Sequence, residues 1–137
     1  MDIEVRYRRR KGGDPDAPAP HLWVCVIGPN GDENLVEGLV DTGADTTILP
    51  WRHVADLGYD PAELVPVDVA LASGTGWAYK ATTGCRAWVL GLERYPFELK
   101  PWFVEGDLAL WGRADFMLPF GVTFVEAARA FTLRSVA

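Results

Sequence analysis

Histidine and cysteine are scarce in this chain, two of each among 137 residues, and that scarcity excludes several chemistries. Cys25 and Cys85 are too few for a disulfide framework and have no metal-ligand spacing. Both lie in strand-like apolar runs, which suits buried free thiols and a cytoplasmic address. His21 and His53 stand far apart, and neither adjoins a serine or cysteine in a nucleophile motif. Surface or capping roles suit them better. No apolar run reaches membrane-span length, and the charged N-terminus has no signal-peptide core. Basic charge is also short: 13 Lys and Arg face 19 Asp and Glu, giving a net charge of −6. That balance argues against a nucleic-acid-binding surface. The one basic cluster, Arg8-Arg9-Arg10-Lys11, reads as the solvated end of a first strand.

What is present is apolar content of 49%, enough for a single domain over residues 1–137 to bury a core. Ile3, Val5 and Tyr7 alternate with charged residues, the pattern of a half-buried strand. Residues 11–20, rich in Gly, Asp and Pro, read as a surface loop. Leu22 to Ile27 is a buried strand, and Gly28-Pro29-Asn30-Gly31-Asp32 turns it back into Asn34 to Val40. Ile48-Leu49 is extended ahead of Pro50, which suits the first turn of a short helix from Trp51 to Leu57 stopped by Gly58. Val65 to Leu71 is a strand. Ala72-Ser73-Gly74-Thr75-Gly76-Trp77 reads as a hairpin tip with Tyr79 to Leu90 as its second arm. Phe97 to Val104 is a strand interrupted by Pro101, and Ala114 to Leu118 has room for one helical turn. At the end, Glu126 to Ala130 has helix propensity, but its β-branched and aromatic flanks favour a hairpin. The whole reads as an all-β, mainly antiparallel domain with one or two short helices.

The chemistry concentrates in Leu39-Val40-Asp41-Thr42-Gly43-Ala44-Asp45-Thr46-Thr47-Ile48-Leu49-Pro50. An apolar strand carries Asp41 toward a poorly solvated place, where a carboxylate needs hydrogen bonds. Gly43 permits a tight turn and leaves its N–H free to face that carboxylate. Thr42 adds a hydroxyl that both donates and accepts. A carboxylate held this way is suited to general acid–base work on a water. A metal shared by Asp41 and Asp45 is disfavoured, since no histidine or cysteine stands near them in the sequence. The glycine-rich stretch around Gly74 lacks the Gly-Lys-Ser/Thr ending of a phosphate loop.

Leu39 to Ala44 resembles the signature of the retropepsin-like aspartic proteases, an apolar strand ending in Asp-Thr/Ser-Gly-Ala/Ser. Leu110-Trp111-Gly112-Arg113 is similar to the apolar-apolar-Gly element, often followed by Arg, that packs beneath the catalytic loop in that family. The resemblance spans roughly Leu22 to Leu133. It implies an acid-protease β-barrel, a catalytic Asp41, and loop support from Thr42, Gly43, Gly112 and Arg113. It also implies contacts of Gly43, Ala44, Asp45, Ser73, Gly74, Thr75, Gly76 and Trp77 with an extended peptide, the last five from a flap. The hairpin reads equally well as an ordinary surface hairpin. Arg113 is expected to pair with Asp45, at a cost on breakage of about 3–5 kcal/mol if buried and less if exposed.

Pepsin-like enzymes hold two such turns in one long chain, whereas this chain has one. Asp56, Asp60, Asp68, Asp107 and Asp115 all lack the following hydroxyl–glycine pair. The resemblance therefore implies a homodimer with one Asp41 from each copy, no metal and no cofactor. Two such carboxylates share one proton, because like charges that close cannot both ionise. The rival reading is a retropepsin-fold dimerisation or peptide-binding module with little turnover. A more remote one is a β-barrel ligand binder with a chance motif.

Overall fold

Alternation of apolar and charged residues makes β1 (Asp2–Arg6), with Ile3 and Val5 half-buried and Asp2, Glu4 and Arg6 exposed. The computed structural model describes residues 1–9, 14, 17–71 and 74–136, the side chains of Leu71 and Thr75 excepted. Ser73, and Arg10 and Lys11 of the basic cluster, lie outside the described residues, as do residues 11–13, 15 and 16 of the expected loop over 11–20. Arg8 forms an ion pair with Glu37 at 2.7 Å and stands over the Trp23 ring.

β2 (His21–Ile27) and β3 (Glu33–Val40) form the expected hairpin, paired from His21↔Leu39 to Ile27↔Glu33. β2 is nearly continuous in apolar character because it is a central strand, flanked by β3 and β7 (Cys85–Val89). Beyond the Asp41 turn come β4 (Ile48–Pro50) and helix α1 (His53–Leu57), which buries Val54 and Leu57 and ends at Gly58. β5 (Val65–Leu71) pairs with β6 (Gly74–Lys80) as a hairpin. β8 (Phe97–Leu99), β9 (Trp102–Val104) and β10 (Leu110–Trp111) complete a sheet of order β5-β6-β9-β4-β10-β3-β2-β7-β8. A smaller sheet, β1-β12-β11, joins β1 to the hairpin of β11 (Phe120–Val125) and β12 (Ala130–Ser135).

The all-β, mainly antiparallel expectation holds, and the C-terminal segment is the expected hairpin. Three local readings change. The second arm of the β5 hairpin is Gly74–Lys80 alone, because Ala81 to Gly84 breaks the strand and β7 pairs with β2 and β8 instead. Pro101 separates two strands that serve different parts of the sheet: β8 lies beside β7, and β9 between β6 and β4. Residues 113–119 make hydrogen-bonded turns and no helix, with the Met117 N–H reaching the Gly112 carbonyl at 3.0 Å.

Trp111, Phe103, Phe116 and Phe131 are the largest fully buried side chains. Phe116 lies 5.6–5.7 Å from the Phe97, Trp111 and Phe120 rings, so one aromatic cluster joins the large sheet to β11. Side chains of this kind contribute about 1.5–3 kcal/mol each through burial. Cys25 and Cys85 are free and buried, as expected. The Cys85 thiol lies 2.7 Å from the Tyr59 hydroxyl, and burial pushes its pKa up to about 11. Among the described residues no helix is long and apolar enough to cross a membrane.

Candidate functional site

β3 delivers Asp41 through a parallel pairing with β10, in register Leu110↔Leu39 and Trp111↔Val40. The Asp41 N–H donates to the Trp111 carbonyl at 3.1 Å, and the Val40 N–H to that of Pro20 at 2.9 Å. β10 sits between β3 and β4, so the loop of residues 41–47 leaves on one side of β10 and returns on the other. Inside the loop, the Ala44 N–H closes a tight turn onto the Asp41 carbonyl at 3.1 Å. The Gly43 N–H donates to Asp41 Oδ1 at 2.8 Å. A Cβ added to Gly43 would stand 3.2 Å from that same oxygen, crowding the carboxylate. Asp41 is half-buried, with Thr42 and Gly43 exposed beside it, so the loop faces outward from the single chain.

The turn after β10 holds this loop from beneath. The Arg113 N–H donates to the Ala44 carbonyl at 3.0 Å and the Ala114 N–H to that of Asp45 at 2.8 Å. Arg113 Nη2 meets Asp45 Oδ1 at 2.5 Å, the expected pair. The arginine and aspartate side chains are 57% and 90% exposed, which puts the pair in the weak, solvent-screened regime. Gly112 is there for space: a Cβ would fall 2.2 Å from the Thr46 carbonyl carbon.

The larger support is a group that sequence reasoning set aside. Asp115 is 8% exposed and Thr47 fully buried. Asp115 Oδ1 accepts from the Thr47 N–H at 3.1 Å, the Thr47 hydroxyl at 2.9 Å and the Phe116 N–H at 2.8 Å. Its Oδ2 accepts from the Lys100 N–H at 3.1 Å. The Gly112 N–H in turn donates to Thr47 Oγ1 at 3.3 Å. One carboxylate therefore ties the far end of the Asp41 loop to the Gly112 turn and to the link between β8 and β9. The signal in the sequence was an acid ahead of the apolar run Phe116-Met117-Leu118, where burial demands partners.

The β5–β6 hairpin carries the remaining expected residues. Gly74, Thr75, Gly76 and Trp77 are strand positions facing Leu71, Ala70, Val69 and Asp68. Directly opposed residues share a face, so fully buried Ala78 lies on the same side as half-buried Val67 and Val69. Trp77, 58% exposed, lies on the other side with Tyr79, whose ring is 4.9 Å from that of Trp51. A cleft of about 450 Å³ is lined by His21, Trp23, Glu37, Arg52, His53 and Asp107 among others, and none of Asp41 to Asp45 borders it. Three of its charged residues are already committed to ion pairs, Glu37 with Arg8 and Arg52 with Asp107. Among the described residues no cluster of three or more His, Cys, Asp or Glu is arranged to hold a metal.

No family model matches this chain, and no curated protein matches it in sequence. Among solved structures, the fold is similar to the crystal structure of a retropepsin-like aspartic protease from Rickettsia conorii. The TM-score is 0.63 at 19% sequence identity, covering 97% of this chain and 91% of that one.

Proposed function

We propose that this chain, whose fold is retropepsin-like, is an aspartic endopeptidase that works as a homodimer. The observation that carries the reading is the Asp41 turn: an outward-facing carboxylate, held by the Gly43 N–H at 2.8 Å, on a loop fixed from below by Gly112 to Asp115. A pure scaffold has no use for an acid at that point. In the dimer, two Asp41 carboxylates share one proton. The ionised one takes a proton from a water that attacks the peptide carbonyl. The protonated one hydrogen-bonds to the carbonyl oxygen, and on collapse of the intermediate the departing amine is protonated. No covalent enzyme intermediate is needed. Gly43, Ala44 and Asp45 offer backbone groups to an extended peptide bound like an added strand. The β5–β6 hairpin closes over it with Val67, Val69 and Gly76 turned inward, excluding water.

The test is incubation of the purified protein with an unstructured protein at acidic and neutral pH, with and without a statine-type inhibitor. Inhibitable cleavage is expected. Asp41→Asn, nearly isosteric, should lower it by about 10²–10⁴-fold or more while the fold is kept. Full turnover in that variant rules out the aspartic assignment. Absence of cleavage by a folded, dimeric wild type favours the binding-module alternative.

A further inference from the structure

We propose that the open edge of β3 is a docking site for an extended, uncharged segment of a partner protein, which lies along it as an added strand. The surface is separate from Asp41 to Asp45, and the proposal stands whether or not Asp41 cuts peptides. β2 pairs with β3 from Glu33 to Leu39. On the other side of β3 stands β10, which pairs only with Leu39 and Val40. Among the described residues, no strand pairs with residues 33–38 of β3 on that side.

Hydrogen bonds at the end of β3 show which way its backbone groups point. The Val40 N–H turns toward the β2 side and reaches the Pro20 carbonyl at 2.9 Å. The Leu39 N–H turns away from β2, to the Ala109 carbonyl at 2.9 Å. Backbone groups alternate in this way along a strand, and the N–H and C=O of one residue share a side. The N–H and C=O of Leu35 and Glu37 therefore face away from β2, as those of Leu39 do. The cleft of about 450 Å³ lies where they point. Four successive β3 residues, Leu35 to Gly38, line it, and Gly38 has only backbone to offer. Arg52 and His53, at the start of α1, line it as well, and Asp107 to Ala109 close its Leu39 end.

The nature of the occupant follows from the lining. A row of backbone donors and acceptors without a strand partner is matched by another extended backbone. The four β3 residues span about 13 Å, the length of an extended segment of about four residues. Glu37 is paired with Arg8 and Arg52 with Asp107, so a charged occupant finds its counter-ions already taken. Apolar side chains find surface to cover: Leu35 is 52% exposed, Leu108 37%, and the Trp23 ring is half-buried beside Glu37.

The test uses the whole chain, isotope-labelled for amide exchange. The probe is a set of acetylated, amidated hexapeptides in which valine, leucine, isoleucine or phenylalanine alternates with threonine or serine. In the free protein the Leu35 and Glu37 amides should exchange at least about tenfold faster than those of Val36 and Gly38, which face β2. Members of the set at about 1 mM should slow Leu35 and Glu37 exchange by about threefold or more. Methylating alternate amides of a binding peptide should abolish this in one phase and spare it in the other, because only alternate N–H groups face β3. Lysine or glutamate at the apolar positions should weaken binding by about tenfold or more. Leu35→Pro, which removes an outward N–H and leaves the β2 pairing alone, should do the same. Should that variant lose its native circular dichroism, the methylated peptides decide. Free-state protection of Leu35 and Glu37 equal to that of Val36, no protection by any member of the set, or equal effects of both methylation phases overturns the proposal. So does tighter binding of the charged peptides, or wild-type affinity in a folded Leu35→Pro. Protection that grows with protein concentration alone assigns the edge to a second copy and overturns the partner. Peptide effects confined to residues 41–45 and the β5–β6 hairpin mark binding at the proposed catalytic site and overturn the β3 site.

Discussion

Asp115→Ala should be among the costliest single substitutions in this chain, although no catalytic role is assigned to the residue. Truncation removes the acceptor of four hydrogen bonds. The Lys100 N–H sits where water can replace the carboxylate, and the Thr47 hydroxyl can rotate. The N–H groups of Thr47 and Phe116 have no such escape, since both residues are fully buried. Each buried donor left without a partner costs about 1–3 kcal/mol, which puts the loss at about 4 kcal/mol for the two. A domain of this size has about 5–15 kcal/mol in all, so the variant should be only marginally folded. Asp115→Asn keeps the oxygen that faces Thr47 and Phe116 but turns an amide toward the Lys100 N–H. It should cost about 1–3 kcal/mol, less than alanine. Urea unfolding followed by fluorescence of the six tryptophans measures both. A loss below about 1 kcal/mol for Asp115→Ala with an unchanged denaturant slope, or asparagine costing more than alanine, would refute the reasoning.

Two further outcomes follow from the same geometry. Arg113→Ala should cost no more than about 1 kcal/mol, because its partner Asp45 is exposed to solvent, and urea unfolding in about 0.5 M salt should shrink even that difference. A loss of several kcal/mol would mean the pair is far less screened than its exposure indicates. His53 is held below its ordinary value of 6.5, first by burial and then by Arg52, with Asp56 acting against them. Above about pH 6.5 neither folded nor unfolded histidine is charged and stability is unaffected; as pH falls, the unfolded state binds the proton first, so stability drops until the folded pKa is passed. The fall in urea midpoint between about pH 7.5 and about pH 5 should therefore be larger for the wild type than for His53→Gln, and equal falls would remove His53 from the account.

Legibility in the sequence tracked how local each constraint is. The Asp41 turn was readable because its parts are neighbours: Gly43 bonds to a carboxylate two positions away, and Ala44 closes on Asp41 three positions back. The Gly112–Arg113 element was readable only through a second short pattern, whose use is steric and backbone-borne. The β2–β3 hairpin, β5 and the terminal hairpin were likewise set by adjacent turns and alternation. The β5 hairpin's second arm was misjudged because β6 and β7 are similar in composition, and only their long-range partners, β9 and β2, separate them.

Asp115 shows the converse. Besides the adjacent Phe116 N–H, its partners lie 68 positions away at Thr47 and 15 away at Lys100, and the apolar run after it says that it needs partners but not which. Read locally, it is one acid among several without the hydroxyl–glycine pair. Folded, it is the acid that fixes where the other one sits. The two carboxylates divide the work by exposure. Asp41, half-buried on an outward-facing turn, is where the proposed function puts a substrate and a second copy. Asp115, closed off by Thr47 and Phe116, spends all its acceptor capacity on the chain itself. A loop that must hold a carboxylate in position while remaining open on its outer side has to be braced from within. In a chain this short the brace is a second carboxylate and a glycine against which the loop backbone can lie.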